Sequence, residues 1–211
     1  MKRLAVTPTA PEAVALEWAA AAIRRGGLVA FPTDTLYGLA ADPFNAEAVR
    51  RVFAAKGREA DRALLLVAAD PAQIASQLGP LTPLALALAD EFWPGPLTLL
   101  VAAPTSLAEG VASDTGSVGV RVPAHAVARE LCRAAGRPLT ATSANVSGQP
   151  ASSDPDDVEA SLGERIEVLL DGGRCAGGPA STVVDATGQL PRLVRAGAIA
   201  WDEVQACVRR G

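Results

Sequence analysis

Helical and extended patterns alternate at short intervals along this chain, and glycine or proline separates most of them. Short apolar runs between such breaks are typical of buried strands, whereas apolar residues spaced three and four apart indicate helices. We predict strands at 28–31, 64–69, 97–102, 118–122, 139–142, 166–170 and 182–184. The alternation favours an α/β fold. No internal repeat, low-complexity tract or linker divides the chain, so residues 1–211 are predicted to form a single domain.

Capping residues signal where the helices begin. Asn45 is predicted to cap a helix that runs into Lys56 and Gly57, because its short polar side chain can accept from unpaired amide groups. Asp70 and Thr82 each precede a proline suited to a first helical turn. Other helices are predicted after a Thr9–Glu12 capping box, with apolar residues Val14, Trp18 and Ile23, and at 127–135, 155–162 and 201–208.

Size and charge exclude several classes of protein. With 211 residues, of which 49% are hydrophobic and 20% charged, the chain can bury one substantial core. Its net charge is −4, and no run of lysines or arginines exceeds two. A dedicated RNA-coating protein needs a basic stripe, so only a local basic patch remains open. Because no secretory signal or membrane-length apolar run is visible, we expect a cytoplasmic protein without a membrane partner.

Histidine and cysteine are too scarce for most metal centres and for a serine or cysteine triad. His125 is the only histidine, and it lies at the start of a predicted helix. It could cap this helix or take part in catalysis. The three cysteines, Cys132, Cys175 and Cys207, have no CxxC spacing. We therefore expect reduced thiols, with neither a disulfide framework nor a zinc knuckle.

Polar groups that suit anions lie along the segment SVGVRVP, residues 117–123. If the valines of this strand face one way, Ser117 and Arg121 face the other, so Arg121 is not expected in the core. An arginine on a rigid strand favours two-pronged capture of a carboxylate or phosphate. The alternative is a surface arginine beside an ordinary Ser-Gly loop.

A second polar segment is TATSANVSG, residues 140–148, in which Ser143, Asn145 and Ser147 surround a turn that glycine permits. No histidine or lysine at a fixed spacing can activate Ser143. We therefore predict that it forms hydrogen bonds, and we predict no covalent nucleophile in this chain.

Two further motifs lie upstream. In PTDTLYGL, residues 32–39, Pro32 ends a strand and leaves Thr33, Asp34 and Thr35 at a strand end, where ligands of open α/β sheets bind. Farther along, Lys56, Arg58 and Arg62 bring three cations to a helix end, a spacing that can clamp a triphosphate. A capped turn and a solvated helix end are the respective alternatives.

Taken in order, the motifs resemble the YrdC-like threonylcarbamoyl-AMP synthase family. The matching segments are FPTDTLYGLAADPF, FAAKGREADRALLLV, FWPGPLTLLV, SVGVRVP, TATSANVSG, ASTVVDATG and LVRAGAI, from about residue 28 to 199. The resemblance implies a single-domain α/β fold with one twisted, mixed, open β-sheet flanked by helices. It further implies the short form of the family, which has no additional C-terminal domain.

The resemblance also implies roles for individual residues. Contacts to L-threonine fall on Thr35, Arg121 and Ser143. Contacts to ATP fall on Lys56, Arg58, Arg62, Ser117, Asn145, Ser181 and Arg195. Two positions depart from the family pattern, because Glu59 and Ala196 stand where proline is common.

The implied reaction is the adenylylation of a carbamate. Threonine and bicarbonate would form the carbamate, whose carboxylate attacks the α-phosphorus of ATP to give threonylcarbamoyl-AMP and pyrophosphate. Mg²⁺ is expected with the ATP, but the spacing of Asp34, Asp171 and Asp185 selects no metal ligand. A separate tRNA threonylcarbamoyl transferase would use the product to modify tRNA.

Two other functions stay open. The chain could be an RNA-binding or ribosome-associated factor with the same fold and no turnover, although its acidic balance speaks against this. It could instead be a carbamoyl-adenylating enzyme that uses carbamoyl phosphate. That activity normally belongs to a longer chain with zinc-finger cysteines, which three scattered cysteines do not supply.

Overall fold

Helices and short strands alternate along the chain in the structure, a computed structural model that describes residues 1–57 and 63–210. Within these ranges the helices are α1 (Ala13–Arg24), α2 (Ala46–Lys56), α3 (Pro71–Leu78), α4 (Pro83–Phe92), α5 (Ala126–Ala135), α6 (Pro155–Leu162) and α7 (Trp201–Arg210). The strands are β1 (Lys2–Ala5), β2 (Val29–Phe31), β3 (Gly38–Ala40), β4 (Leu66–Val67), β5 (Leu97–Ala102), β6 (Ser117–Arg121), β7 (Leu139–Thr140), β8 (Thr142–Ser143), β9 (Val168–Asp171), β10 (Thr182–Asp185) and β11 (Arg192–Arg195).

The strands form two mixed sheets. One has the order β1-β9-β2-β3-β8, and the other has the order β11-β10-β5-β6-β4-β7. Parallel pairs such as β10 with β5 occur beside antiparallel pairs such as β5 with β6. The predicted α/β class with mixed, open strand order is thus confirmed, and the one expected sheet is divided in two.

The division occurs in a segment that the sequence predicts as one strand, residues 139–142. Leu139 and Thr140 pair with β4 of the six-stranded sheet, whereas Thr142 and Ser143 pair with β3 of the five-stranded sheet. Between them the amide of Ala141 donates to the carbonyl of Leu65, 2.8 Å away. The chain therefore passes from one sheet to the other here, and it brings residues of both sheets together.

The predicted helix caps are present. The side chain of Asn45 accepts from the amides of Glu47 and Ala48, at 3.0 and 3.2 Å. Asp70 and Thr82 accept from amides in the first turns of α3 and α4, at 2.9 and 3.0 Å. The local sequence alone therefore sets the starts of these three helices.

Helix α1 packs differently from the prediction. Its buried face is formed mainly by alanines, with Leu16 and Ile23, whereas Val14 and Trp18 are 73% and 49% exposed. Glu12 accepts from the amide and hydroxyl of Thr7 rather than pairing with Thr9. Small residues on this face allow α1 to lie close against α5. No helix of the described ranges has both the length and the apolar character needed to cross a membrane.

Candidate active site

A cleft of about 520 Å³ is lined by residues from both sheets. Strands β3 and β8 contribute from the five-stranded sheet, and strands β4, β5, β6, β10 and β11 contribute from the six-stranded sheet. The loop between β2 and β3 forms another part of the wall. Because strand ends and loops of an α/β fold commonly bind ligands, this cleft is the candidate active site.

Five of the residues singled out from the sequence line this cleft: Thr35, Arg121, Ser143, Ser181 and Arg195. They come from five separate segments of the chain. The fold therefore assembles a cationic and hydroxyl-rich surface from residues that lie up to 160 positions apart, from 35 to 195.

Three other predicted residues do not line the cleft. Lys56 is buried at the end of α2, and its Nζ donates to the carbonyl oxygens of Ser143 and Asn145, at 2.6 and 2.9 Å. Ser117 lies at the far end of β6 from Arg121, where its hydroxyl is 2.9 Å from that of Ser113. Asn145 lines a separate cavity of about 240 Å³. The predicted Arg58 and Arg62 lie outside the described residues.

The guanidinium of Arg121 is held in place by the protein. Its Nε donates to the carbonyl of Gly95 at 2.7 Å, and its Nη2 donates to Oδ2 of Asp34. Nη1 makes no hydrogen bond to the described residues. The side chain is only 10% exposed, more buried than the sequence predicts, and yet it faces the cleft. Burial lowers the pKa of Arg121, while Asp34 opposes this effect.

Hydroxyl groups cluster in the loop between β2 and β3. The Thr33 hydroxyl donates to the carbonyl of Leu36 at 2.7 Å, and it lies 3.2 Å from the Thr35 hydroxyl. Tyr37 follows in the same loop, and its hydroxyl donates to the carbonyl of Gly173 at 2.8 Å. Burial raises the pKa of Tyr37. Its phenol is therefore neutral at physiological pH. Tyr37 is packed in the core and also lines the cleft, so it serves as both core residue and cleft wall.

A further part of the cleft wall combines polar and apolar groups. Arg195 donates through Nη2 to the carbonyl oxygen and hydroxyl of Ser181, at 2.8 and 3.1 Å. The Thr98 hydroxyl is 2.8 Å from the Ser181 hydroxyl. Val183 and Val194 line the cleft beside them. The sequence analysis missed Thr98, although one polar residue within the apolar strand LTLLVA is a signal that could have indicated it.

The carboxylates considered for magnesium are engaged elsewhere. Asp34 pairs with Arg121, Asp171 with Arg3, and Asp185 with Arg192. None of the three is among the residues that line the cleft. Residues 1–57 and 63–210 contain no group of three or more histidine, cysteine and acidic side chains arranged to hold a metal ion. This part of the chain therefore offers no ready set of protein ligands for a metal.

His125 and Asp34 line a second cavity, of about 300 Å³, that is separate from the cleft. His125 precedes α5, but its side chain makes no capping hydrogen bond. Its Nδ1 and Oδ1 of Asp34 are both buried without a protein partner in the described ranges. Burial lowers the pKa of His125, and the nearby Asp34 partly offsets this. His125 is not among the residues that line the main cleft.

Comparisons with known proteins add to this geometry. A family model for Sua5, YciO and YrdC, described as telomere recombination, matches residues 21–197. The curated threonylcarbamoyl-AMP synthase of Bacillus subtilis is 38% identical over 90% of this chain and 55% of its own length. That of Pyrococcus abyssi is 39% identical over 90% of this chain and 57% of its own length.

A solved structure is also similar along nearly the whole chain. The crystal structure of P. abyssi Sua5 complexed with L-threonine matches with a TM-score of 0.91 and 37% identity, over 98% of this chain and 61% of that one. The chain thus spans little more than half the length of the two curated relatives.

Proposed function

Because the chain belongs to the Sua5/YciO/YrdC family, we propose that it is an L-threonylcarbamoyladenylate synthase, a nucleotidyltransferase that acts in tRNA modification. Its substrates are L-threonine, bicarbonate and ATP, and its products are threonylcarbamoyl-AMP and pyrophosphate. The observation that carries the proposal is the cleft itself, in which a clamped arginine and several hydroxyl groups face one space of about 520 Å³.

Threonine binds at the end of the cleft formed by Arg121 and the β2–β3 loop. The free Nη1 of Arg121, together with the second N–H of Nη2, can hold both oxygens of a carboxylate. Thr35 and Ser143 supply hydroxyl groups nearby to orient the amino acid. The complex of P. abyssi Sua5 with L-threonine supports this choice of substrate.

ATP binds the part of the cleft that Ser181 and Arg195 line. Ser181 and Arg195 donate hydrogen bonds to the nucleotide, and Val183 and Val194 provide an apolar surface for a base. Arg58 and Arg62 neutralise the phosphates. The cleft wall does not include the remaining predicted ATP contacts, Lys56, Ser117 and Asn145, so they reach the nucleotide only if it moves them on binding. Lys56 also holds the segment around Ser143 in place through two carbonyl oxygens.

The reaction proceeds without a covalent enzyme intermediate. The amine of threonine attacks the carbon of bicarbonate, and loss of water gives a carbamate. One carboxylate oxygen of the carbamate then attacks the α-phosphorus as pyrophosphate leaves in line. Such a transfer depends on positioning and on neutralisation of charge. A site with arginines and hydroxyl groups and without an imidazole suits these needs. Bound to the ATP phosphates, Mg²⁺ would supply charge neutralisation there.

A pyrophosphate-release assay tests the proposal. The purified chain is incubated with ATP, Mg²⁺ and each of the twenty amino acids, with and without bicarbonate. We expect release that requires both threonine and bicarbonate, and mass spectrometry should detect threonylcarbamoyl-AMP. Absence of release with threonine, or equal release with serine, would contradict the assignment.

The alternative is an RNA-binding factor with the same fold. It predicts tRNA binding without threonine-dependent consumption of ATP. The acidic balance of the chain, 23 acidic against 19 basic residues, disfavours it because phosphate contacts need cations. The product is expected to pass to a tRNA threonylcarbamoyl transferase, and direct contact of this chain with RNA is expected to be weak.

A further inference from the structure

Asp34 contacts Arg121 but does not line the cleft. Its Oδ2 accepts from Nη2 of Arg121, but Asp34 lines the second cavity and not the cleft itself. The ion pair is mostly buried, with side-chain exposures of 10% for Arg121 and 21% for Asp34. Asp34 is therefore placed to act on a ligand of the cleft through the arginine, without contacting that ligand.

Two acceptors together fix the plane of the guanidinium. The Gly95 carbonyl takes the Nε–H, and Asp34 takes one N–H of Nη2, so both contacts use the same edge of the guanidinium. A planar group held at two points on one edge cannot rotate about its long axis without breaking a hydrogen bond. The opposite edge, Nη1 with the other N–H of Nη2, has no partner among the described residues, and Arg121 is one of the residues that line the cleft.

The way in which Asp34 is bound argues against a purely stabilising role. Its Oδ1 is buried and accepts no hydrogen bond from the described residues. A buried carboxylate oxygen without a protein donor lowers stability rather than raising it, so packing alone does not account for this placement. Asp42 differs in this respect, because both of its oxygens are used, one by Arg137 and one by the amide of Phe44.

We propose that Asp34 is a positioning residue that, with the Gly95 carbonyl, orients Arg121 so that its free edge receives the carboxylate of the amino-acid substrate. This inference rests on the proposed function for the identity of the substrate. It specifies how the site fixes the orientation of the carboxylate, because two N–H groups held in one plane match its two oxygens. A loosely held arginine would not fix this orientation.

Two effects of Asp34 oppose each other, and variants separate them. Its negative charge weakens the attraction of Arg121 for an anion, whereas its hydrogen bond holds the guanidinium in place. Asp34→Asn removes the charge and keeps an acceptor oxygen, and Asp34→Ala removes both. If orientation dominates, Asp34→Ala raises KM for threonine about tenfold, as expected for one lost charge-assisted hydrogen bond, and Asp34→Asn raises it only about threefold.

The control is Asp42→Ala, which removes the carboxylate from another arginine pair, Asp42 with Arg137, whose side chains are 11% and 37% exposed and do not line the cleft. It should lower the melting temperature and leave KM for threonine within about twofold of the wild type, the range expected away from the site. KM for ATP should stay within the same range in all variants. A merely structural role of Asp34 would change melting temperature without this selective rise in KM for threonine.

A double-mutant cycle with Arg121→Lys tests whether Asp34 acts through the arginine. Threonine binding is measured by calorimetry for both single variants and the double variant. Once lysine replaces the guanidinium, Asp34→Ala should weaken threonine binding by less than twofold further, a non-additive result. Additive losses would overturn the inference, as would tighter threonine binding by folded Asp34→Ala.

The two proposals fail in different ways. If wild-type protein releases no pyrophosphate with threonine, the proposed function fails. If the wild type is active and folded Asp34→Ala keeps its KM for threonine, only the inference about Asp34 fails.

Discussion

Two of the three guanidinium nitrogens of Arg121 donate to the protein itself, and the third has no partner among the described residues. A surface arginine would be solvated and free to move, whereas this one is 10% exposed and held at two points. The cost of burying a guanidinium is offset here by a carboxylate and a carbonyl. This arrangement is what an arginine needs in order to recognise one ligand geometry.

Arg121→Lys should therefore abolish much of the threonine affinity. Lysine keeps the charge but cannot bind the Gly95 carbonyl, Asp34 and a carboxylate in one plane. We expect a loss of about 1.5–3 kcal/mol in threonine binding, the value of a hydrogen bond to a charged group, with ATP affinity unchanged. Calorimetry with each ligand measures this. A lysine variant with full threonine affinity would mean that the carboxylate is held elsewhere.

His125 predicts a dependence of stability on pH. Burial lowers its pKa in the folded state from the ordinary value of 6.5, with Arg129 acting in the same direction and Asp34 against it. The unfolded chain therefore binds the proton more tightly, and stability falls as the pH drops through 6.5 towards the folded pKa. His125→Gln removes this contribution.

Urea unfolding at about pH 7.5 and about pH 5.5 tests the prediction, since these values lie on either side of the ordinary pKa of histidine. We expect the wild type to lose more stability than His125→Gln between the two conditions. Carboxylates lower stability in acid in both proteins, so the difference between the proteins isolates the imidazole. Equal losses would contradict a buried neutral histidine.

Among the secondary-structure elements, helix α2 contacts the wall of the cleft through its last residue, Lys56. Lys56 is 3% exposed and donates to the carbonyls of Ser143 and Asn145, so it ties α2 to the last residue of β8 and to the segment that follows it. The sequence pattern treats Lys56 as a phosphate ligand, and that role stays a prediction. The contacts in the structure predict a structural role in addition.

Lys56→Ala should lower the free energy of unfolding by about 2–4 kcal/mol, because the buried carbonyl of Asn145 and the partly buried carbonyl of Ser143 lose a charged donor. Arg50→Ala, in the same helix, is the control: Arg50 pairs only with the exposed Glu47 in the described ranges, and its loss should cost no more than about 0.5 kcal/mol. Chemical denaturation measures both. Equal effects of the two substitutions would show that Lys56 does not support this segment.

Local signals predicted those elements whose cause is local. The caps Asn45, Asp70 and Thr82 and the apolar strand at 97–102 needed only neighbouring residues, and they are confirmed. Strand β11 was missed because all its residues are exposed, so it shows no hydrophobic pattern. Strand β3 was missed because it is a three-residue segment, GLA, with little β propensity, and its pairing partners fix it.

Some residues of the candidate site were also predictable from the sequence, but their contacts with one another were not. Arg121 and Thr35 lie in motifs whose residue types suit anions and hydroxyl-binding ligands, and both line the cleft. Sequence could not indicate that Asp34 would be the partner of Arg121, because the contact joins residues 87 positions apart and depends on how the two sheets meet. Long-range packing of this kind leaves no local pattern.

For the whole molecule, the position of the cleft links ligand binding to stability. Residues of both sheets line it, so a ligand that fills it contacts both sheets at once. A ligand that binds only the folded state stabilises that state by mass action, by about 2.7 kcal/mol when its concentration is one hundred times Kd. The melting temperature therefore reports binding independently of turnover.

We expect threonine or ATP at about one hundred times its Kd to raise the melting temperature by about 5–10 °C, since 1 kcal/mol corresponds to roughly 2–4 °C for a chain of this size. Differential scanning fluorimetry measures the shift for each ligand. In Arg121→Lys, the shift with threonine at the same concentration should fall to about half or less, and the shift with ATP should remain. Loss of both shifts would indicate that the substitution distorts the cleft, and retention of both would remove Arg121 from threonine binding.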